Sequence, residues 1–178
     1  MKKPSRNMPE YIPHSGSAPW ALMAVVGVLV CLATYAIWHA PLLLLLGAGI
    51  GIWGYFDTRR IKRKFEALSE VRSEESICEF ARSFERNSID TWVIRAVYEQ
   101  VQKYVVFSDK ALPLKEDDDL FELLELDEDD VDMDLAVEIA QRTGRSLDNA
   151  ENNPYFGKVK TVGDLVRFFN AQPLAKST

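Results

Sequence analysis

The sequence predicts an all-α protein: a two-helix transmembrane hairpin followed by a soluble four-helix bundle. Three observations lead there. From Ala18 to Phe56 no residue carries a formal charge apart from a protonatable His39. Charge is divided, since Met1 to Lys64 holds eight Lys/Arg against Glu10 and Asp57, a net +6, which leaves −12 for the remainder. Beyond Lys64, apolar residues recur at the i, i+3, i+4 and i+7 spacing of helices with one buried face.

Residues 1–17 mix Lys, Arg, Pro, Ser and Gly without periodicity and read as a flexible cytoplasmic tail. The 39 residues of Ala18 to Phe56 would form one helix of about 58 Å, nearly twice a hydrocarbon core of about 30 Å. The chain is therefore expected to turn back at Trp38-His39-Ala40-Pro41, because Pro41 disfavours helix at Ala40. This gives spans over about 20–38 and 41–56. A signal peptide is disfavoured, because the apolar region far exceeds a signal core of about 7–15 residues. Lys2, Lys3 and Arg6 precede the hairpin and Arg59, Arg60, Lys62, Arg63 and Lys64 follow it. That pattern predicts a multi-pass protein of the bacterial inner membrane with both termini cytoplasmic and residues 18–56 in the bilayer. The same basic cluster directly after a span argues for topology and anionic headgroups rather than nucleic acid. Gly47, Gly51 and Gly54 predict close packing within the hairpin, against Gly27, Ala33 or Ala36, with a homodimer through these glycines as the alternative.

Residues 57–72 read as a basic juxtamembrane stalk, helical through Val71, and residues 73–178 as the acidic soluble domain. Ser73 is expected to cap a helix to Phe84 carrying Ile77, Phe80, Ala81 and Phe84. Asn87 or Ser88 is expected to cap the next, Asp90 to about Val106, with Val93, Ala96, Val97, Val101, Tyr104 and Val105 inward. Phe121, Leu123, Leu124 and Leu126 should fold down onto the core. From Val131, rotation of about 100° per residue puts Met133, Leu135, Ala136, Val137, Ile139 and Ala140 on one face and Asp127, Asp130, Asp134, Glu138 and Gln141 on the other. Gly144 should end that helix. Tyr155 and Phe156 should plug the following loop. Thr161 and Asp164 outline a capping box for a last helix bearing Val162, Leu165, Val166, Phe168 and Phe169, stopped by Pro173.

An acidic helix opened by Asp129-Asp130-Val131 resembles helix II of the acyl carrier proteins, where an Asp-Ser-Leu step bears phosphopantetheine; here Asp130 stands in the serine's place. The chain is more closely similar to an uncharacterised bacterial family of acyl-carrier-like domains. The shared motifs are Asp129-Asp130, Tyr155-Phe156 and Thr161-Val162-Gly163-Asp164-Leu165, over roughly residues 77–173. The resemblance implies a four-helix acyl-carrier-like bundle that has lost its attachment site, and hence no cofactor.

Several chemistries are disfavoured. His14 and His39 are the only histidines, so a His-based metal or general-base site in the acidic half is excluded. The carboxylates lie in an exposed run with no apolar pocket to separate their pKa values, which argues against catalysis. No glycine lies between Gly54 and Gly144, so the acidic run lacks the turn of a calcium-binding EF-hand loop. Cys31 and Cys78 offer no spacing for a bridge or a redox pair. Asp127, Asp129, Asp130, Asp134 and Glu138 are instead expected to dock a basic partner protein. The alternatives are a working carrier modified on Ser88, or less readily on Ser146 in Arg145-Ser146-Leu147, and a small membrane-complex subunit or adaptor acting through its hairpin.

Overall fold

The computed structural model describes residues 4–12, 19–39, 41–85, 88–105, 111–127 and 129–175, without the side chains of 19, 21–22, 36–44, 130 and 132–133. Residues 1–3 and 13–17 of the tail, Ala40, the Asn87 cap, Val106, Glu128 and the side chains of Trp38, His39, Asp130 and Met133 thus lie outside it. The described residues form six α-helices: α1 (Pro19–His39), α2 (Pro41–Val71), α3 (Ile77–Ser83), α4 (Thr91–Tyr104), α5 (Ala136–Thr143) and α6 (Val162–Ala171). They include no strand, only the isolated antiparallel bridges Asp119–Thr161 and Arg145–Leu174. The chain divides into two compact units, Ile12–Lys64 and Met1–Tyr11 with Phe65–Thr178.

In the first unit the apolar stretch divides as expected, α1 ending at His39 and α2 starting at Pro41. The transmembrane hairpin is corrected: among the described residues no helix is long and apolar enough to cross a membrane. After Phe56, α2 carries Asp57, Arg59 and Arg60 on its way to Val71. The multi-pass inner-membrane localisation falls with the hairpin. Trp20, Met23, Leu29, Leu45, Ile50 and Trp53 are exposed. Among the described residues, a Cβ added at Gly27, Gly47, Gly51 or Gly54 would meet nothing within 4 Å.

The second unit starts earlier than the sequence suggests. Phe65 is fully buried, and Ser69 and Arg72 are buried beside the half-buried Leu68. These residues recur at i, i+3, i+4 and i+7, one face of a helix, so the end of the expected stalk belongs to the core. Ser76, not Ser73, opens α3, its amide donating to the Glu79 carboxylate at 3.1 Å. Asp90, rather than Asn87 or Ser88, caps α4 by accepting from the Trp92 amide at 3.0 Å. Val93, Ala96, Val97 and Val101 are buried as expected, and Val105 with them.

The acidic segment folds inward at Leu120, Leu124 and Leu126. Phe121 and Leu123 are half-buried. The helix that follows is not regular from its start. Asp130–Leu135 forms a π-helical turn in which the Ala136 amide reaches the Val131 carbonyl, five residues back. That extra residue shifts the helical phase. Val131, Leu135, Ile139 and Ala140 are buried, whereas Val137, expected inside, is 47% exposed. Gly144 ends α5 at φ +65°, as a left-handed C-cap.

In α6, Thr161 Oγ1 accepts from the Asp164 amide and Asp164 Oδ2 accepts from the Thr161 amide, each at 3.1 Å. Asp thus completes the capping box. Val162, Leu165, Val166, Phe168 and Phe169 are buried and the helix ends at Ala171, before Pro173. Gly163 meets the acidic loop, its amide donating to the Glu116 carbonyl at 2.9 Å. A Cβ there would lie 2.5 Å from Glu116 Cγ and 2.8 Å from Glu116 O. Gly163→Ala must push backbone from backbone, and we expect it to cost about 1–3 kcal/mol. A thermal melt within error of wild type would refute this.

Candidate functional site

The acidic segment contains carboxylates with two different physical roles. Asp118 is 2% exposed and forms a two-pronged pair with Arg72, Nη1 to Oδ2 and Nη2 to Oδ1 both at 2.7 Å. It also accepts from the Lys115 amide at 2.8 Å, while Arg72 Nη1 donates to the Pro113 carbonyl at 3.1 Å. Burial pushes the Arg72 guanidinium down, yet the hydrogen bond and charge of Asp118, with Glu75 and Asp117 behind it, raise it above the usual arginine value. Asp119 is likewise engaged, accepting from the Phe121 and Glu122 amides at 2.8 Å each. These carboxylates organise the loop.

The residues expected to dock a partner lie further on. Asp127 is exposed ahead of the helix, its carbonyl accepting from the Val131 amide at 3.2 Å. Asp129 is exposed at the helix opening and Asp134 within the π-helical turn; the Asp130 side chain lies outside the described residues. Glu138 differs from these. It is half-buried, and its Oε2 accepts a short hydrogen bond from Gln100 Nε2.

Gln100 is fully buried on α4. Its Oε1 accepts from Arg142 Nη1 at 2.9 Å, and Arg142 Nη2 pairs closely with Glu99, which Arg95 holds at 2.9 Å from the other side. Arg142 is itself only 5% exposed. Arg142, Gln100 and the Arg72–Asp118 pair escape sequence reasoning because polar residues on predicted helices and in acidic runs are ordinarily solvated. One signal was available: Gln100 lies four residues before Tyr104 and three after Val97, within the apolar stripe.

The serines that could carry a prosthetic group are also placed. Ser88 is exposed, its hydroxyl donating to the Glu85 carbonyl at 3.1 Å and its carbonyl accepting from Asn170 Nδ2 at 2.9 Å. Ser146 makes a local turn, its hydroxyl donating to Asp148 Oδ2 at 2.9 Å and accepting from the Asp148 amide at 3.0 Å. Among the described residues no group of three or more His, Cys, Asp or Glu is placed to hold a metal ion.

Beside the start of the acidic helix is a cavity of about 650 Å³ whose walls include Val131, Leu147, Phe156, Leu165 and Phe169. Phe156 does not plug the loop as expected, being 54% exposed. Gly157, at φ +66°, turns the chain immediately after it.

No family model, curated protein or solved structure matches the chain.

Proposed function

We propose that residues 65–175 act as an acyl-carrier-like docking module without a prosthetic group, binding a basic partner protein through the acidic helix rather than catalysing a reaction. One observation carries the reading: Asp127, Asp129 and Asp134 are exposed around the start of the helix, in a stretch from Glu116 to Gln141 that contains no Lys, Arg or His. Such a field steers a cationic partner into register and weakens steeply with salt. The start of the helix has no serine in the attachment position, and Ser88 stands at the opening of a different helix, two residues before its cap. Intact mass after co-expression with a broad-specificity phosphopantetheinyl transferase is expected to be unchanged. A modified species lost on Ser88→Ala would replace this reading by that of a working carrier.

The decisive test replaces Asp127, Asp130 and Asp134 by Asn and Glu138 by Gln together, and measures binding of labelled decalysine at low and high salt. Exposed pairs contribute about 0–1 kcal/mol each, so losing the exposed Asp127 and Asp134 together with Asp130 and the half-buried Glu138 should weaken binding roughly tenfold. A control neutralises the exposed Glu70, Glu74, Glu85 and Glu151 instead. Equal losses in the two variants would reduce the acidic helix to one part of a generally acidic surface.

A further inference from the structure

The amino-terminal segment was expected to be a flexible tail, yet its described part packs on the acidic domain. Ser5–Asn7 forms a 3-10 turn, with the Asn7 amide donating to the Pro4 carbonyl at 2.9 Å and the Met8 amide to the Ser5 carbonyl at 3.1 Å. The turn touches α4. Met8 is buried, whereas Pro9 and Glu10 beside it are exposed. An apolar anchor is thus seated in the domain and its neighbours are left outside.

The seat is polar at one edge. Arg142 Nε donates to the Pro9 carbonyl at 3.3 Å, and the same guanidinium donates through Nη1 to Gln100 Oε1 at 2.9 Å. Gln100 Nε2 in turn donates to Glu138 Oε2. A chain of hydrogen bonds therefore runs from the backbone of the terminal segment, through two buried side chains, to a carboxylate of the docking helix. An amide has one acceptor end and one donor end. With Arg142 fixed at the acceptor end, the donor end of Gln100 must face Glu138.

We propose that residues 4–11 form a latch whose seating draws Glu138 inward and so lowers the affinity of the acidic helix for a basic partner. The proposal rests on the docking reading above. When Met8 leaves its seat, Arg142 loses the Pro9 carbonyl, its hold on Gln100 loosens, and Glu138 is free to turn outward beside Asp134. Coupling between two binding equilibria is reciprocal. A basic partner that draws Glu138 outward must release the latch by the same factor.

The experiment uses the full chain with Met8→Ser, which unseats the anchor without changing charge. Two quantities are read: amide exchange at Asn7, and the Kd for labelled decalysine. The latch predicts faster exchange and binding about two- to fivefold tighter, the worth of one additional exposed pair. In a Glu138→Gln background the gain in affinity should vanish. Free exchange with an unchanged Kd, or an equal gain in that background, overturns the proposal. A second variant keeps the decision independent of decalysine. Glu138→Ala removes the acceptor at the far end of the chain of hydrogen bonds and should speed exchange at Asn7, so exchange at the wild-type rate overturns the latch. If decalysine ignores the four-residue neutralisation, the docking reading fails, and the Glu138→Ala exchange still decides the latch.

Discussion

Asp118→Asn is expected to destabilise the unit containing α3 to α6 by about 3–5 kcal/mol, because it removes one member of a buried ion pair and leaves the other charge uncompensated. The residues involved make the loss specific. Arg72 is 9% exposed and its guanidinium is met by both Asp118 oxygens at 2.7 Å; an Asn offers it one neutral acceptor. Asp118 also holds the Lys115 amide, so the loop from Pro113 to Leu120 loses its tie to the end of α2. Asp117→Asn, one residue away and exposed, should stay within about 0.5 kcal/mol of wild type. Hydrogen exchange of the α4 core amides at Val97 and Val101, which follows global opening of that unit, measures both. Equal effects at 117 and 118 would return Asp118 to the solvated run. Arg72→Met with Asp118→Leu should be milder than Asp118→Asn alone, since an apolar pair leaves no buried charge unpartnered.

Phe65→Ala should be as damaging. A fully buried aromatic truncated to a methyl costs about 3–5 kcal/mol through lost burial and the cavity left behind. Were Phe65 part of a stalk, the same change would fall within about 0.5 kcal/mol of wild type, as surface substitutions do. The α4 exchange measurement separates the two. A cost below about 1 kcal/mol would place the beginning of the domain at Ser73 after all.

Patterns that depend on near neighbours were legible in the sequence. The division of the apolar stretch at Pro41, the helices carrying Val93 to Val101 and Val162 to Phe169, the capping box of Thr161 and Asp164 and the terminal glycine at 144 all follow from spacing over a few residues. Each has a local cause in the chain: a ring that cannot continue a helix, a side chain that satisfies its own helix end, a residue that tolerates positive φ. The inward fold of the acidic loop was legible in part: of Phe121, Leu123, Leu124 and Leu126, which cannot all remain in water, Leu124 and Leu126 are buried and the other two half-buried, with Leu120 buried besides.

What the tertiary structure alone decided is which polar groups go inside. Asp118 and Asp117 are chemically identical neighbours, and only the approach of Arg72, 46 residues earlier in the chain, buries one and leaves the other exposed. Glu138 fits the expected acidic stripe by rotation, but Gln100 on α4 turns it inward, and no periodicity within residues 127–141 carries that information. Which side of the acidic helix faces the core is also set by packing: Leu135 and Ile139 go in, and Val137, about 160° from both by helical rotation, goes out. Met8 is buried once the turn before it touches α4, although its own neighbourhood has no helical pattern. A sequence records how a segment relates to itself. Burial of a charge requires a partner from elsewhere, and that partner is visible only once the chain has folded.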